Sequence, residues 1–299
     1  MTECLIDFFK KHDVEFLRNY NISIASPIAI GGKTTFFVSP DSEEKLIKTI
    51  DYLHSLSCKY RIVGRMTNIL PNDDDFHGVL ISTAKINSYF VAEKHILGSC
   101  GIAFSKLIAA AANMSCGGFE GLYGIPGTLG GMTVCNAGAY GAEVSDFLLD
   151  ARVYSLEQKK ISVLTNKELN FSYRDSLLRN SGLVLLSAKL SIPKHDEPQN
   201  IKKKLKEVIN KRMSSQPMNT KNIGSIFKKH ESLSISLLID RLGLKGFSVG
   251  GAQISEKHAG FIINTGCASS KDVKALISMI KNRINEIYGF IPQEEIEIW

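Results

Sequence analysis

The residues best suited to chemistry lie between Gly121 and Gly141, GLYGIPGTLGGMTVCNAGAYG, a run with seven glycines, one proline, one asparagine and no charge. Glycine tolerates positive φ and lets backbone N–H groups come close to a ligand, and successive amides in such turns form anion-binding concavities. The run is too glycine-rich for a stable helix interior and too poor in side chains for an ordinary core strand. Ile125, Pro126, Leu129, Met132 and Val134 mark it as a packed segment rather than a flexible linker, which would be richer in serine and polar residues. A backbone that wraps the phosphates of a nucleotide cofactor is the chemistry this pattern offers. Gly64, Thr67 and Asn68 form a second turn with amide and side-chain groups suited to phosphate. Tyr173 and Arg174 stand beside Phe171, and a closing segment carries Glu294, Glu295 and Glu297, at least one of which should face inward from a strand. Gly31-Gly32-Lys33-Thr34 resembles the end of a phosphate-binding P-loop, but Pro27 stands where that motif needs its first glycine.

Positioning these groups falls to a mixed set of elements. An amphipathic opening segment precedes a strand interrupted by Gly31 and Gly32. A surface helix follows, with Asp41 and Glu44 as its capping box and Leu46, Ile47, Ile50 and Leu53 at helical spacing. Strands flank the Gly64 turn, and a strand over Ile96 to Ser99 leads to a helix with Leu107, Ile108 and Ala111 inward, ending at Gly117 and Gly118. A hairpin with its turn near Glu157 and Gln158 follows, then the apolar strand beginning at Gly182. Composition turns polar at Pro193 to Asn200, which predicts the main domain boundary. Beyond it come a basic helix, with Lys202, Lys203, Lys204, Lys206, Lys211 and Arg212 on a solvated face, a short helix closed by Gly243 or Gly246, and two short strands. The clearest helix has Val273, Ile277, Ile280, Ile284 and Ile287 in one stripe and stops at Gly289. Helices and strands alternate too irregularly for a doubly wound sheet, so the fold class is α+β with mixed sheets.

Bulk properties narrow the partners. No apolar run approaches a membrane span, and the opening residues carry acids with no small-residue cleavage site, so a cytoplasmic protein is expected. The six cysteines are scattered without CxxC or adjacent histidines, which supports neither a disulfide framework nor a metal site. The formal charge of +6 is mild, and no interleaving of basic with aromatic residues suggests nucleic-acid binding.

Several segments, in one order, then match a known pattern: IGG at Ile30, TNIL at Thr67, GIPGTLGG and NAGAYG in the glycine-rich run, FSYRDS at Phe171, QP at Gln216, GSIF at Gly224, LIDRLGLKG at Leu238, ISEKHAGFIIN at Ile254 and the Glu-bearing end. In these segments the chain resembles the UDP-N-acetylenolpyruvoylglucosamine reductases, in their shorter, type II form. The resemblance implies three lobes: 1–84, joined by 291–299, and 85–193 form a vanillyl-alcohol-oxidase-like (PCMH-type) FAD-binding fold, and 194–290 binds substrate. It implies non-covalent FAD, NADPH as reductant, a small-molecule UDP-sugar as substrate, and a monomer with no nucleic-acid or membrane partner. The reaction implied adds hydride to the enolpyruvyl group and yields UDP-N-acetylmuramate for peptidoglycan.

The resemblance also assigns residues. Arg174 holds the substrate carboxylate, Glu295 assists polarisation and Ser225 donates the proton. FAD is expected at Gly64, Thr67 and Asn68, at Gly124, Ile125, Pro126, Gly127, Thr128, Gly130 and Gly131, and at Asn136, Ala137, Gly138 and Tyr140. Tyr173, Lys245 and Asn264 are expected to bind substrate, and no metal is expected. Arg65 and Met66 depart from the family's small residues at the first turn, and Pro292 and Gln293 from a usual Leu-Glu before the last strand. Another flavin oxidoreductase of the same fold, or a UDP-sugar-binding protein without flavin, are the alternatives.

Overall fold

The structure, a computed structural model, describes residues 2–299. The chain packs as two units, one of Met1–Arg18, Phe36–Arg65 and Gly78–Asn210, the other of Asn19–Thr35, Met66–His77 and Lys211–Trp299. Packing changes inside the basic helix Pro198–Ser215, between Asn210 and Lys211, rather than at the change of composition at Pro193 to Asn200.

The first unit opens with the helix Thr2–Lys11, which buries Leu5, Ile6 and Phe9 against Phe36, Leu46, Ile50 and Leu53. The helix Glu43–Ser55 is capped by Ser42, whose hydroxyl accepts from the Lys45 amide; Asp41, the expected cap, forms an ion pair with Lys45 instead. The helix begins at Glu43, so the N-cap position falls on Ser42 and the cap lies one residue beyond Asp41. The strands Tyr60–Val63 and Phe76–Ser82 pair in parallel, Ile62 opposite Ile81, in a four-stranded sheet.

A five-stranded antiparallel sheet carries the rest of this unit, in the order Lys160–Thr165, Leu148–Ser155, Leu183–Ser191, His95–Ser99, Tyr89–Val91. The hairpin between the first two is where the alternation placed it, with Ser155 opposite Lys160. The helix Phe104–Asn113 buries Leu107, Ile108 and Ala111 but ends before Gly117, because Cys116 and Gly117 pair with Lys194 and His195 as a short ladder.

The glycine-rich run does form a helix, contrary to the expectation from composition. Leu129–Val134 is a six-residue helix with Gly130 and Gly131 in its first turn. A side chain at Gly130 would come within 3.0 Å of the Cys100 carbonyl, so glycine lets the helix lie on that strand end. Close packing outweighs the propensity cost of about 1 kcal/mol per glycine.

The second unit is built on Ile28, Ile30, Leu70, Ile223, Ile226, Leu238, Ile254, Ile262, Val273, Ile277 and Ile280. The helix Ser270–Tyr288 has a Ser269/Asp272 capping box and ends at Gly289 with φ 77°. Its stripe is buried through Ile284, but Ile287 is 58% exposed, because the core stops a turn before the helix does. Three strands, not two, follow the short helix Ile235–Arg241: Ser248–Val249, Ala252–Ile254 and Ile262–Asn264. The strand Lys33–Ser39 starts only after Gly31 and Gly32. A side chain at Gly32 would come within 2.6 Å of the Asp74 backbone, so the paired glycines serve packing. The last strand, Glu297–Ile298, runs parallel to Ile69–Leu70.

Candidate active site

In the first unit the two sequence segments expected to cradle a cofactor meet. Gly64 ends the strand Tyr60–Val63, and a methyl group on it would lie 2.4 Å from the Thr128 hydroxyl. That hydroxyl accepts from the Gly131 amide and caps the Leu129 helix. Not every amide there is free for a ligand: Leu129 donates to Ile102 and Gly130 to Cys100. The turn before the helix differs. Gly124 and Gly127 have φ of 80° and 155°, and the amides of Gly124, Gly127 and Thr128 donate to no acceptor among the described residues. Gly127 and Thr128 are buried, and a buried amide without a partner costs about 1–3 kcal/mol. These donors therefore fit the oxygens of an anionic cofactor such as FAD, and they come from the turn rather than from the helix terminus. Arg65 is exposed, and Met66, at φ 54°, buries its side chain.

Asn136 to Glu143 complete this half. Gly138–Ala139 and Ala142–Glu143 form a tight hairpin, with Tyr140 at φ 52° and Gly141 at φ 82° turning its end. Asn136 is fully engaged inside the protein. Its Nδ2 donates to Glu143 Oε2 at 3.0 Å and to the Ser172 carbonyl at 2.9 Å, and its Oδ1 accepts from the Ser145 amide at 3.0 Å. Arg174, itself in the left-handed region at φ 58°, donates through Nη2 to the Gly138 carbonyl at 2.6 Å. Its Nη1 donates to the Asn136 carbonyl at 3.3 Å and to Glu143 Oε1 at 3.2 Å. Tyr173 covers the guanidinium, 4.9 Å from ring centre to Cζ. Glu143 escapes sequence reasoning, although it is the first acid after the glycine-rich run.

The second unit assembles Thr67, Asn68, Ser225 and Glu295. The Glu295 amide donates to the Ile226 carbonyl at 2.8 Å, Asn68 Nδ2 donates to the Glu295 carbonyl at 3.0 Å, and the Glu297 amide donates to the Asn68 carbonyl at 2.9 Å. Gly224, at φ 86°, brings Ser225 alongside Thr67, with the Thr67 carbonyl 4.0 Å from the position of an added side chain. The Ser225 hydroxyl makes one long bond, to the Phe227 carbonyl at 3.4 Å. Glu294 forms an ion pair with Lys281 at 2.6 Å, which commits the neighbouring carboxylate to the helix Ser270–Tyr288.

Two residues expected to bind substrate have other partners. Asn264 is buried, with Nδ2 donating to the Ile28 carbonyl and Oδ1 accepting from Gly266 and Ala268. Lys245 pairs with Asp240 at 2.8 Å on the surface. A groove of about 400 Å³ is lined instead by Gln216, Asn219, Thr220, Gln253, Glu256 and Lys257 among others. Arg212, read as part of a solvated face, is buried at 4% exposure and donates to Gln216 Oε1 at 3.5 Å. Its spacing of four residues from Gln216 was the available signal. Near this groove His258 has its pKa lowered, chiefly by burial, and its Nδ1 accepts from the Gly260 amide.

Comparison with known proteins decides the family. A model described as the UDP-N-acetylenolpyruvoylglucosamine reductase C-terminal domain matches residues 216–299, and one described as an FAD binding domain matches residues 34–158. A UDP-N-acetylenolpyruvoylglucosamine reductase of Fervidobacterium nodosum is 36% identical over 100% of this chain and 96% of its own. The chain belongs to the UDP-N-acetylenolpyruvoylglucosamine reductase family. Another member, from Pseudothermotoga lettingae, is 40% identical over 90% of this chain and 93% of its own. The crystal structure of the family's enzyme from Thermus caldophilus superposes with a TM-score of 0.81 at 28% identity, covering 96% of this chain and 98% of that one. The α+β flavin-binding fold is thus shared with the family, and among the described residues no helix is long and apolar enough to cross a membrane.

Proposed function

We propose that this chain is the FAD- and NADPH-dependent reductase that converts the enolpyruvyl ether of UDP-N-acetylglucosamine to UDP-N-acetylmuramate. The observation that carries this reading is the likeness to such reductases along the whole chain, through both half-sites. The chemistry that bound FAD would supply is hydride transfer to the methylene carbon of the enolpyruvyl group, with NADPH as the source of the reducing equivalents. The Gly124 to Thr128 turn supplies the amide donors that hold it, with Gly64, Thr67, Asn68 and the Asn136 to Tyr140 segment as further contacts. The alternatives, another flavin oxidoreductase or a flavin-free binding protein, gain no observation of their own.

Hydride addition to a carbon conjugated with a carboxylate drives negative charge onto that carboxylate. Arg174, permanently charged and tethered on two nitrogens, is read as the group that receives it, which would lower the barrier in the manner of an oxyanion hole. Glu295 assists polarisation. Ser225 then gives its hydroxyl proton to the adjacent carbon, a role its single long hydrogen bond leaves open. The polar groove at Gln216 and Lys257 suits a sugar nucleotide, and Tyr173, Lys245 and Asn264 are read as further substrate-binding residues. The functional division is into lobes 1–84 with 291–299, 85–193 and 194–290, in a cytoplasmic monomer.

The test is a flavin spectrum beside a UDP-sugar reduction assay. The purified protein should be yellow, should bleach anaerobically on adding NADPH and should recover its colour on adding the enolpyruvyl UDP-sugar. Protein that stays colourless after reconstitution with FAD, or reduced protein that only oxygen reoxidises, would overturn the reading.

A further inference from the structure

The strongest unassigned group is the carboxylate of Glu143. It sits at the end of the hairpin that the glycine-rich run forms, directly across the ladder from Gly138. Both of its oxygens are engaged: Oε1 accepts from Arg174 at 3.2 Å and Oε2 from Asn136 at 3.0 Å. Asn136 in turn spans to the Ser172 carbonyl, at the base of the turn on which Arg174 stands. A closed ring of contacts therefore links hairpin, carboxylate, guanidinium and turn. Gly138 is glycine for the same reason. A side chain there would lie 2.6 Å from the Ala142 carbonyl, 2.7 Å from Glu143 Cγ and 3.1 Å from Arg174 Nη1, and would pry the ring open.

We propose that Glu143 is a positioning residue for Arg174, locking the guanidinium before the substrate carboxylate arrives, with Asn136 locking Glu143 in turn; this rests on the reductase reading above. An arginine side chain gives up much of its rotamer freedom when it is fixed. Here that ordering is completed on folding, through one charge-assisted bond and two carbonyl bonds, so it need not be met on the way to the transition state. The Arg174 side chain is only 14% exposed, whereas Glu143 keeps 33%, so the acid holds the base from its outer side. Glu143 also offsets the charge of Arg174. The arrangement thereby favours geometry over raw attraction for any passing anion, as suits discrimination by shape and orientation.

The experiment is a double-mutant cycle with a structural readout. Glu143→Ala should lower turnover of the enolpyruvyl UDP-sugar on the order of 10- to 100-fold. Reduction of bound flavin by NADPH should stay within about twofold, because no contact of Arg174 is asked of that half-reaction. Glu143→Gln, which can still accept from Arg174 but turns an N–H₂ toward the Asn136 Nδ2 donor and loses the charge, should recover turnover only in part, between Glu143→Ala and wild type. Glu143→Ala placed on Arg174→Ala should slow the enzyme no further. Multiplying effects, or a Glu143→Ala enzyme with wild-type turnover, would overturn the proposal.

In protein labelled with nitrogen isotope at arginine Nε, the Arg174 resonance, assigned by its loss in Arg174→Lys, should show a rigid side chain in wild type and a mobile one in Glu143→Ala. A side chain equally rigid in both would refute positioning without reference to activity. If wild type failed to turn over the UDP-sugar yet Arg174 loosened in Glu143→Ala, the reductase reading would fail and the positioning role would stand. Should Glu143→Ala not fold, Glu143→Asp, one methylene short of both partners, is judged by the same resonance and the same rates.

Discussion

Gly64→Ala probes the junction of the two cofactor-facing segments. The backbone at Gly64 is not in the left-handed region, so alanine meets no conformational barrier there, and its cost comes from space alone. The new methyl would lie 2.4 Å from Thr128 Oγ1 and 3.2 Å from Thr128 Cγ2. Rotating Thr128 relieves the contact only by lifting its hydroxyl off the Gly131 amide, which uncaps the Leu129 helix. Loss of the cap costs about 1 kcal/mol, and residual overpacking at a site 1% exposed adds about 1–3 kcal/mol. We expect a destabilisation of about 2–4 kcal/mol, read as a lower urea midpoint at unchanged slope in the apo protein. Weaker retention of FAD should accompany it, since the Gly127 and Thr128 amides lie on the displaced residues. The decisive comparison is Gly64→Ala on Thr128→Ala. With the threonine gone the methyl has room, so the pair should cost clearly less than the two changes added. Strict additivity, or a wild-type midpoint for Gly64→Ala, would refute the packing argument.

Three further outcomes follow from the same geometry. Glu294→Gln should lower stability by about 0.5–1 kcal/mol through loss of the partly exposed Lys281 pair and leave turnover within about twofold, whereas Glu295→Gln should slow UDP-sugar turnover about 10²-fold; steady-state kinetics beside urea titrations separate the two. The Asp272 carboxyl is held below its ordinary pKa, first by the Ser269 amide, so its contribution is present above the unfolded value and is lost as pH falls through the lower folded one; the stability gap between wild type and Asp272→Asn should accordingly close in acid titration below that window. Burial pushes the Cys100 thiol up to about 12, so alkylation mapped by mass spectrometry at neutral pH should modify exposed Cys4 and Cys267 and reach Cys100 only in denaturant.

Much of the local structure was legible in the chain. The Ser270–Tyr288 helix announced itself through its stripe and its terminal glycine, and the Leu148–Thr165 hairpin through its alternation, because both depend on neighbours within a few residues. The misreadings lie where packing outweighs a local rule. Gly130 sits in a helix because the Cys100 carbonyl, 3.0 Å from any side chain placed there, favours glycine at that contact, and Arg212 is buried although its neighbours are solvated lysines. Ile287 continues the stripe into solvent because periodicity records a helix face but not the extent of the core beneath it.

The sequence by itself determined that a glycine-rich backbone seeks an anion, that the family's motifs stand in order, and which residue types are available for a carboxylate, a proton and a cofactor. Only the tertiary structure decided their use. It set Gly64 against Thr128, spent the Leu129 and Gly130 amides on the protein while leaving those of Gly127 and Thr128, tied Glu294 to Lys281 beside Glu295, and enclosed Arg174 between Gly138, Asn136 and Glu143. Each of these pairings except that of Asn136 and Glu143 joins residues dozens of positions apart or distinguishes adjacent ones. Spacing along a chain constrains what can touch within a turn or two, whereas contacts across long loops are settled by which faces pack and which polar groups that packing must satisfy.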